Sequence, residues 1–193
     1  MSSLYDDKLL KETFLQVAIP IKIGDKVHQA TFTNAEIRDR DVKYINSLEP
    51  FNCGDYVYIN NQTFLVISEV AAMRHFKYRG KAQHCNIVLP QLSYFIRKDK
   101  VGTDTSGRPI YQDIYSDPVD VPCVSMKSTL DISEGSYYYF DSSKMTLIVP
   151  STDINQLLLS INTEFKLNES TFKVVSVEKI ISNLMNIYIE RIV

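Results

Sequence analysis

The sequence has no tryptophan, only six glycines and only three histidines in its 193 residues. It contains neither a Walker A phosphate-binding loop nor a Gly-x-Gly-x-x-Gly dinucleotide fingerprint. It also lacks the Gly-x-Ser-x-Gly segment that raises a serine nucleophile on a strand-to-helix turn. These absences leave every enzyme hypothesis, including a small hydrolase in the second half of the chain, without support. We expect no catalysis and no small-molecule substrate.

Cysteine is scarce too. Cys53, Cys85 and Cys123 are odd in number and widely spaced, which argues against a disulfide framework. Each lies in an apolar or strand-like context, so we expect buried free thiols in a reducing compartment. His84 and Cys85 are adjacent on a predicted strand, so their side chains point to opposite faces, which argues against a shared metal ion. The sequence predicts neither a metal site nor a cofactor.

Long hydrophobic runs are also missing. No apolar stretch approaches the roughly 18 residues of a transmembrane helix. The polar start from Met1 to Leu10 differs from a signal peptide. We therefore expect no membrane contact and assembly in the cytoplasm. The net charge of −2 argues against a general nucleic-acid binder, although it leaves room for a local basic strip.

The sequence is rich in aromatic residues, with 12 tyrosines and 9 phenylalanines, and in β-branched residues. Such side chains fit a half-buried pleated surface, so we predict a mostly-β fold. The predicted architecture has two small β-barrel or sandwich-like modules, a long β-hairpin arm and a short N-terminal helix. The helix and first module occupy residues 1–93, the arm residues 94–117 and the second module residues 118–193.

Turn signals place several elements. A helix of about three turns is predicted before Pro20, and Gly24-Asp25 supplies a tight hairpin turn because glycine accepts positive φ. Asn60-Asn61 forms a second turn of this kind. A further strand, bent near Gly80, is predicted from Phe76 to Leu89, and another from Tyr137 to Phe140.

One strand unit occurs twice. Asn60 to Ser68 and Asn168 to Ser176 share the pattern Asn-x-x-Thr-Phe-x-Val-(Ile/Val)-Ser at an offset of 108 residues. The pattern has two explanations, an internal duplication or two separate hairpins of similar architecture.

A long hairpin arm is predicted between the modules. Tyr94 to Ile96 leads outward, Ile110 to Tyr115 returns, and the tip between them is rich in Gly, Ser, Thr and Asp. Its apolar residues have little core of their own, which favours contact with a neighbouring subunit over an ordinary surface hairpin. The predicted contact residues are Phe95, Arg97, Lys98, Lys100, Arg108 and Tyr111.

A basic strip follows from Arg74 to Lys81. On a strand, its cations alternate with Phe76 and Tyr78, so the aromatic rings face the core and the cations face outward. A nucleic-acid surface of the OB-fold type would combine rings and cations on one face, and the alternation argues against that. The outward face is an ordinary solvated surface or a contact for DNA or an acidic partner. Its cations are Lys77, Arg79 and Lys81.

Several segments resemble a known group of proteins. Leu48-Glu-Pro50, Gly54-Asp-Tyr-Val57 and Thr63-Phe-Leu-Val-Ile-Ser68 resemble structural neck proteins of tailed phages or prophages of Gram-positive bacteria. Leu147-Ile-Val-Pro150 and the strand Thr171 to Val177 resemble the closing β module of the same proteins. The resemblance spans most of the chain and rests on strand and turn patterns.

The resemblance implies a virion protein of the head–tail junction, a head-closure (stopper) or connector component. Identical subunits would form a ring that contacts a portal or adaptor protein and tail proteins, with non-specific contact to packaged DNA. Known stoppers are often shorter, so the second module is a departure, and a minor tail or baseplate protein is the close alternative. A monomeric nucleic-acid-binding β-barrel is the third hypothesis.

Overall fold

The computed structural model describes residues 4–35, 41–73, 77–127, 143–181 and 183–192. Strands dominate these ranges, which confirms the predicted mostly-β class with two barrel-like modules and an N-terminal helix. The elements are α1 (Leu4–Val17), β1 (Ile19–Ile23), β2 (Lys26–Asn34), β3 (Val42–Ser47), β4 (Tyr56–Ile59), β5 (Gln62–Val66), β6 (Ala71–Met73), β7 (Lys77–His84), β8 (Ile87–Leu92), β9 (Phe95–Thr103), β10 (Pro109–Tyr115), β11 (Val119–Lys127), β12 (Lys144–Pro150), α2 (Asp153–Leu158), β13 (Glu164–Leu167), β14 (Ser170–Ile181) and β15 (Leu184–Ile192).

The first module is a closed antiparallel barrel. Its strands run in the order β1-β2-β3-β7-β5-β4, and β4 returns to pair with β1. The short strand β6 pairs with the first three residues of β7, and β5 pairs with the last three. Closure removes free edges from the barrel. Inward-facing side chains alternate with outward-facing ones along each strand and fill the interior. The buried core comprises Ile21, Ile23, Ala30, Ile45, Phe51, Val57, Phe64, Val66 and Ala82.

The second module is a six-stranded sheet in the order β13-β14-β15-β12-β11-β8. It curls so that Leu89 of β8 and Phe165 of β13, the two outer strands, contribute to one core. Helix α2 packs against this core through Leu158, and the Oγ1 atom of Thr152 caps it by accepting a hydrogen bond from the Asn155 backbone N–H at 3.1 Å.

The repeated sequence unit corresponds to a hairpin in each module. Asn60 has a φ of 48° at the β4–β5 turn, and Asn168 has a φ of 55° at the β13–β14 turn. Asparagine tolerates this left-handed conformation better than most residues. Phe64 and Phe172, the phenylalanines of the pattern, are both buried. The two copies therefore share hairpin architecture, and an origin by duplication stays a prediction.

The two modules pack on each other through a continuous apolar junction. Leu65 of β5 faces away from the first barrel's interior and packs with Val124 and Leu184 of the second sheet. The Tyr56 hydroxyl donates a hydrogen bond to the Pro122 carbonyl at 2.6 Å. Because these contacts are buried, the modules form one packed body.

The prediction that one strand spans Phe76 to Leu89 is wrong. The chain forms two strands, β7 in the first sheet and β8 in the second, and it changes sheet around Asn86. There the Asn86 side chain accepts a hydrogen bond from the Ser125 N–H at 2.7 Å and donates one to the Ser125 carbonyl at 3.4 Å. These two hydrogen bonds take the place of backbone hydrogen bonds between strands and attach the segment around Asn86 to β11.

The crossing also places β8 in the second sheet, before the predicted module boundary at residue 93. Helix α1 has 14 residues, somewhat longer than the predicted three turns. The predicted strand from Tyr137 to Phe140 and residue Phe76 lie outside the described residues.

Candidate functional site

The hairpin arm, β9 and β10, is a two-stranded sheet of its own. The Asp104 carboxylate closes its tip by accepting hydrogen bonds from the backbone N–H groups of Ser106 and Arg108, at 2.9 and 2.8 Å. Along both strands nearly every side chain is exposed. The large exposed apolar and aromatic residues are Phe95, Ile96, Val101, Ile110, Tyr111 and Tyr115.

Strand register gives the arm one mixed aromatic and basic face. Tyr115 pairs with Phe95, and Tyr111 pairs with Lys100 on the same face. The rings of Phe95 and Tyr115 meet edge to face with their centroids 6.1 Å apart. Lys98 lies between these pairs, with its Nζ atom 3.4 Å from an oxygen of its cross-strand partner Asp113.

The opposite face of the arm carries Arg97, whose Nε atom lies 2.9 Å from a carboxylate oxygen of Asp99. Arg108 is exposed at the tip, where its backbone is held by the Asp104 carboxylate. The six residues predicted from sequence therefore all lie on the arm, but they are distributed over two faces and the tip rather than one surface.

The basic strip forms part of the outer surface of the first barrel. Tyr78 packs against the barrel core, while Lys77, Arg79 and Lys81 alternate with it on β7. The predicted orientation of these three cations is confirmed. All three are half-buried.

Tyr44 joins the cations on this surface. It pairs with Lys81 across β3 and β7, and the Arg79 guanidinium carbon lies 3.8 Å from the centre of its ring. The Lys81 Nζ atom lies 5.6 Å from the same centre. Such stacked cations are stabilised by about 0.5–1 kcal/mol at exposed sites. We call Tyr44, Lys77, Arg79 and Lys81 the basic face.

Sequence reasoning missed Tyr44 as a member of this face. The alternation along β7 was correctly interpreted, but the ring comes from the neighbouring strand, and the pairing of β3 with β7 leaves no local signal. The argument that cations and aromatic rings lie on separate faces is therefore wrong for the folded protein. The available signal was the alternation of Tyr44 with the apolar Ile45, which places the ring outside the barrel.

The three thiols lie in apolar surroundings. Burial raises the pKa of Cys85 to about 12 and that of Cys123 to about 12, and it also raises the pKa of Cys53. A protonated thiol is a poor nucleophile and a poor metal ligand. In the part of the chain that the structure describes, no group of three His, Cys, Asp or Glu side chains could hold a metal ion.

A small polar pocket of about 190 Å³ opens at the junction of the modules, beside Gly54 and Asn183. The Asp55 carboxylate in its wall accepts a hydrogen bond from the Asn52 N–H at 2.7 Å, which gives it a structural role. Neither described helix has the length and apolar character needed to cross a membrane.

These features define a two-module β protein that presents two surfaces, an exposed hairpin arm and a basic barrel face. Residues 3–84 match the family model of the YomX N-terminal domain, and residues 74–190 match that of the YomX C-terminal domain. The chain therefore belongs to the YomX family. YomX is a gene product of an SPbeta-like prophage, so the predicted relation to phage proteins is confirmed at this level. No curated protein and no solved structure matches the chain.

Proposed function

We propose that this protein is a non-catalytic structural component of a phage particle, which forms an oligomeric ring at the head–tail junction. Its family is phage-associated, which supports a role in the particle. In this proposal portal or adaptor proteins lie on one side of the ring and tail proteins on the other.

The observation that carries the proposal is the exposure of the arm. Tyr111 is 57% exposed, Val101 is 56% exposed and Phe95 is 47% exposed on a hairpin that lies outside both cores. A two-stranded hairpin is at best marginally stable in water, and clustered exposed apolar groups mark contact sites. Insertion of the arm against the next subunit would bury these groups and create a repeating head-to-tail contact, and such a contact closes into a ring when the rotation between subunits divides a full turn evenly.

The chemistry of the described residues fits a role without catalysis. The high thiol pKa values remove the cysteines as nucleophiles at neutral pH. His28 is buried and faces Ser47, with 3.3 Å between its Nδ1 atom and the serine Oγ. The same Nδ1 atom lies 3.7 Å from a Glu49 oxygen. Both contacts thus fall on one ring nitrogen, and the Ser47 hydroxyl also accepts a hydrogen bond from the Glu49 backbone N–H at 3.1 Å, which gives the serine a local structural role.

The first test is assembly in solution. A variant with Phe95→Ser, Tyr111→Ser and Tyr115→Ser should remain folded and lose the oligomer that the wild type forms, measured by light scattering after size exclusion. Val27→Ser is the matched control, because Val27 is 66% exposed on the first barrel and lies away from the arm. An arm variant that assembles like the wild type would contradict the role of the arm.

The second test is position in the particle. Gold-labelled antibody against the protein should mark the neck of induced phage particles in electron micrographs. Labelling at the tail tip would instead favour a minor tail or baseplate protein. Absence of the protein from purified particles would overturn the structural assignment altogether.

A further inference from the structure

We infer that the basic face binds the phosphodiester backbone of nucleic acid without sequence preference. This inference concerns a surface on the first barrel that is distinct from the arm. It goes beyond the proposed assembly role, since a protein could form a ring through the arm with or without binding nucleic acid.

The first observation is that the cations are free to take an anion. Within the described residues Lys77, Arg79 and Lys81 make no ion pair. The positions paired with them on the neighbouring strands are occupied by uncharged side chains, Met73, Ala71, Asn46 and Tyr44. Three positive charges therefore stand on one strand face, and in the described part of the chain no acidic side chain occupies a position paired with them.

The second observation is that two of the cations are already oriented. The Arg79 guanidinium stacks on Tyr44 at 3.8 Å, and its Nε atom is buried without a hydrogen-bond partner among the described residues. The Lys77 Nζ atom lies 5.0 Å from the centre of the Phe14 ring of α1. Stacking restricts these long side chains before a ligand arrives, which lowers the entropy lost on binding.

The spacing fits a polymer of phosphates. Alternate residues of one strand are separated by about 6.6 Å, twice the rise per residue. Successive phosphates of an extended single strand have a comparable separation, so one nucleic-acid strand along β7 can meet the three cations in turn. Guanidinium groups also bind phosphate in a bidentate manner through paired N–H donors.

The combination of cations with an aromatic ring favours nucleic acid over an acidic protein. Proteins that bind single strands without sequence preference combine a positive track with aromatic rings on which bases stack. The Arg79 guanidinium already stacks on the Tyr44 ring at 3.8 Å, so a base would stack on this Arg–Tyr pair, since bases stack on guanidinium planes as well as on aromatic rings. An acidic peptide would use the charges but would not stack on the Arg79–Tyr44 pair.

The inference is tested by fluorescence anisotropy with a short labelled DNA duplex and the matched single strand, each at low and at moderate salt. The wild type should bind both probes at low salt. The variant with Lys77→Gln, Arg79→Gln and Lys81→Gln should bind at least about tenfold more weakly. The slope of log affinity against log salt should fall in magnitude by about 2 to 3, because about three phosphate contacts are lost.

The matched control is Lys144→Gln with Lys166→Gln and Lys173→Gln, which removes the same charge from the second module. Its affinity should stay within about twofold of the wild type. Tyr44→Phe keeps the ring and should bind like the wild type, whereas Tyr44→Ala should weaken single-strand binding on the order of threefold. Circular dichroism checks folding, and Lys81→Gln alone serves if the triple variant unfolds.

Three results would overturn the inference. The first is an undetectable affinity of the wild type for both probes at low salt. The second is an equal loss of affinity in the control variant, which would show that only total charge matters. The third is displacement of the probe by polyglutamate as readily as by unlabelled DNA, which would favour an acidic protein partner. None of these results affects the ring proposal, which depends on the arm.

Discussion

At the scale of single residues, Gly54 of the first module lies directly against Asn183 of the second. Its φ is +90°, and a Cβ atom built there would lie 2.6 Å from the Asn183 carbonyl oxygen. That oxygen already accepts a hydrogen bond from the Ser151 N–H at 2.8 Å, so it is held in place. Both backbone conformation and space therefore require glycine at this position.

We predict that Gly54→Ala lowers the free energy of unfolding by about 2–4 kcal/mol, combining backbone strain with steric overlap. Gly102→Ala is the control, because Gly102 has no positive φ and nothing lies within 4 Å of its added Cβ. Its effect should stay within about 0.5 kcal/mol. Urea unfolding measures both values, and equal effects would contradict the close approach.

The buried thiols predict a loss of stability at alkaline pH. Unfolded cysteines ionise near pH 9, whereas burial raises the folded pKa of Cys85 and Cys123 to about 12. Above pH 9 the unfolded state therefore binds fewer protons than the folded state, so stability falls as pH rises toward 12. Between pH 9 and 10 the expected loss is about 1 kcal/mol per thiol.

Urea unfolding at pH 8, 9 and 10 measures this slope. Below pH 10 Tyr56, whose pKa is also raised by burial, adds little. The variant with Cys85→Ala and Cys123→Ala should be less stable at every pH, but its free energy of unfolding should depend less steeply on pH. A slope as steep as that of the wild type would assign the pH dependence to other groups.

At the scale of elements, the hairpins were the most predictable feature. Gly24-Asp25 and Asn60-Asn61 each form a two-residue hairpin turn. The structure gives Gly24 a φ of +56°. The arm was also predictable, because its polar tip separates two strand-like runs. Local chemistry is sufficient for these elements, since both partners of the pairing lie close in sequence.

Pairing between distant strands was not predictable. The change of sheet around Asn86 depends on its contact with Ser125, which lies 39 residues further along the chain. The stack of Arg79 on Tyr44 depends on the register of β3 with β7. Alternation indicates which way a side chain points, but it does not indicate which strand lies next to it. The three cations of the basic face could therefore be predicted from the sequence, but its aromatic ring, Tyr44, could not.

At the scale of the whole molecule, the junction determines whether the modules behave as one unit. Leu65 is fully buried and belongs to a strand of the first barrel, yet it packs with Val124 and Leu184 of the second sheet. The Tyr56 hydrogen bond to Pro122 adds a polar tie across the same surface. A rigid junction would hold the arm and the basic face in a fixed relation, as the proposed ring would require.

We predict that the wild type unfolds in one calorimetric transition, with a calorimetric enthalpy close to its van't Hoff enthalpy. Leu65→Ala should lower the free energy of unfolding by about 2–5 kcal/mol. It should also raise the ratio of the calorimetric to the van't Hoff enthalpy above one, because the cavity weakens the coupling between modules.

Ile45→Ala is the matched control: Ile45 is equally buried but lies inside the first barrel. It should lower the midpoint temperature of unfolding by a similar amount and leave the ratio of the calorimetric to the van't Hoff enthalpy near one. The same ratio in both variants would mean that Leu65 stabilises its own barrel only, and the coupling would then have to come from the hydrogen bonds of Tyr56 and Asn86.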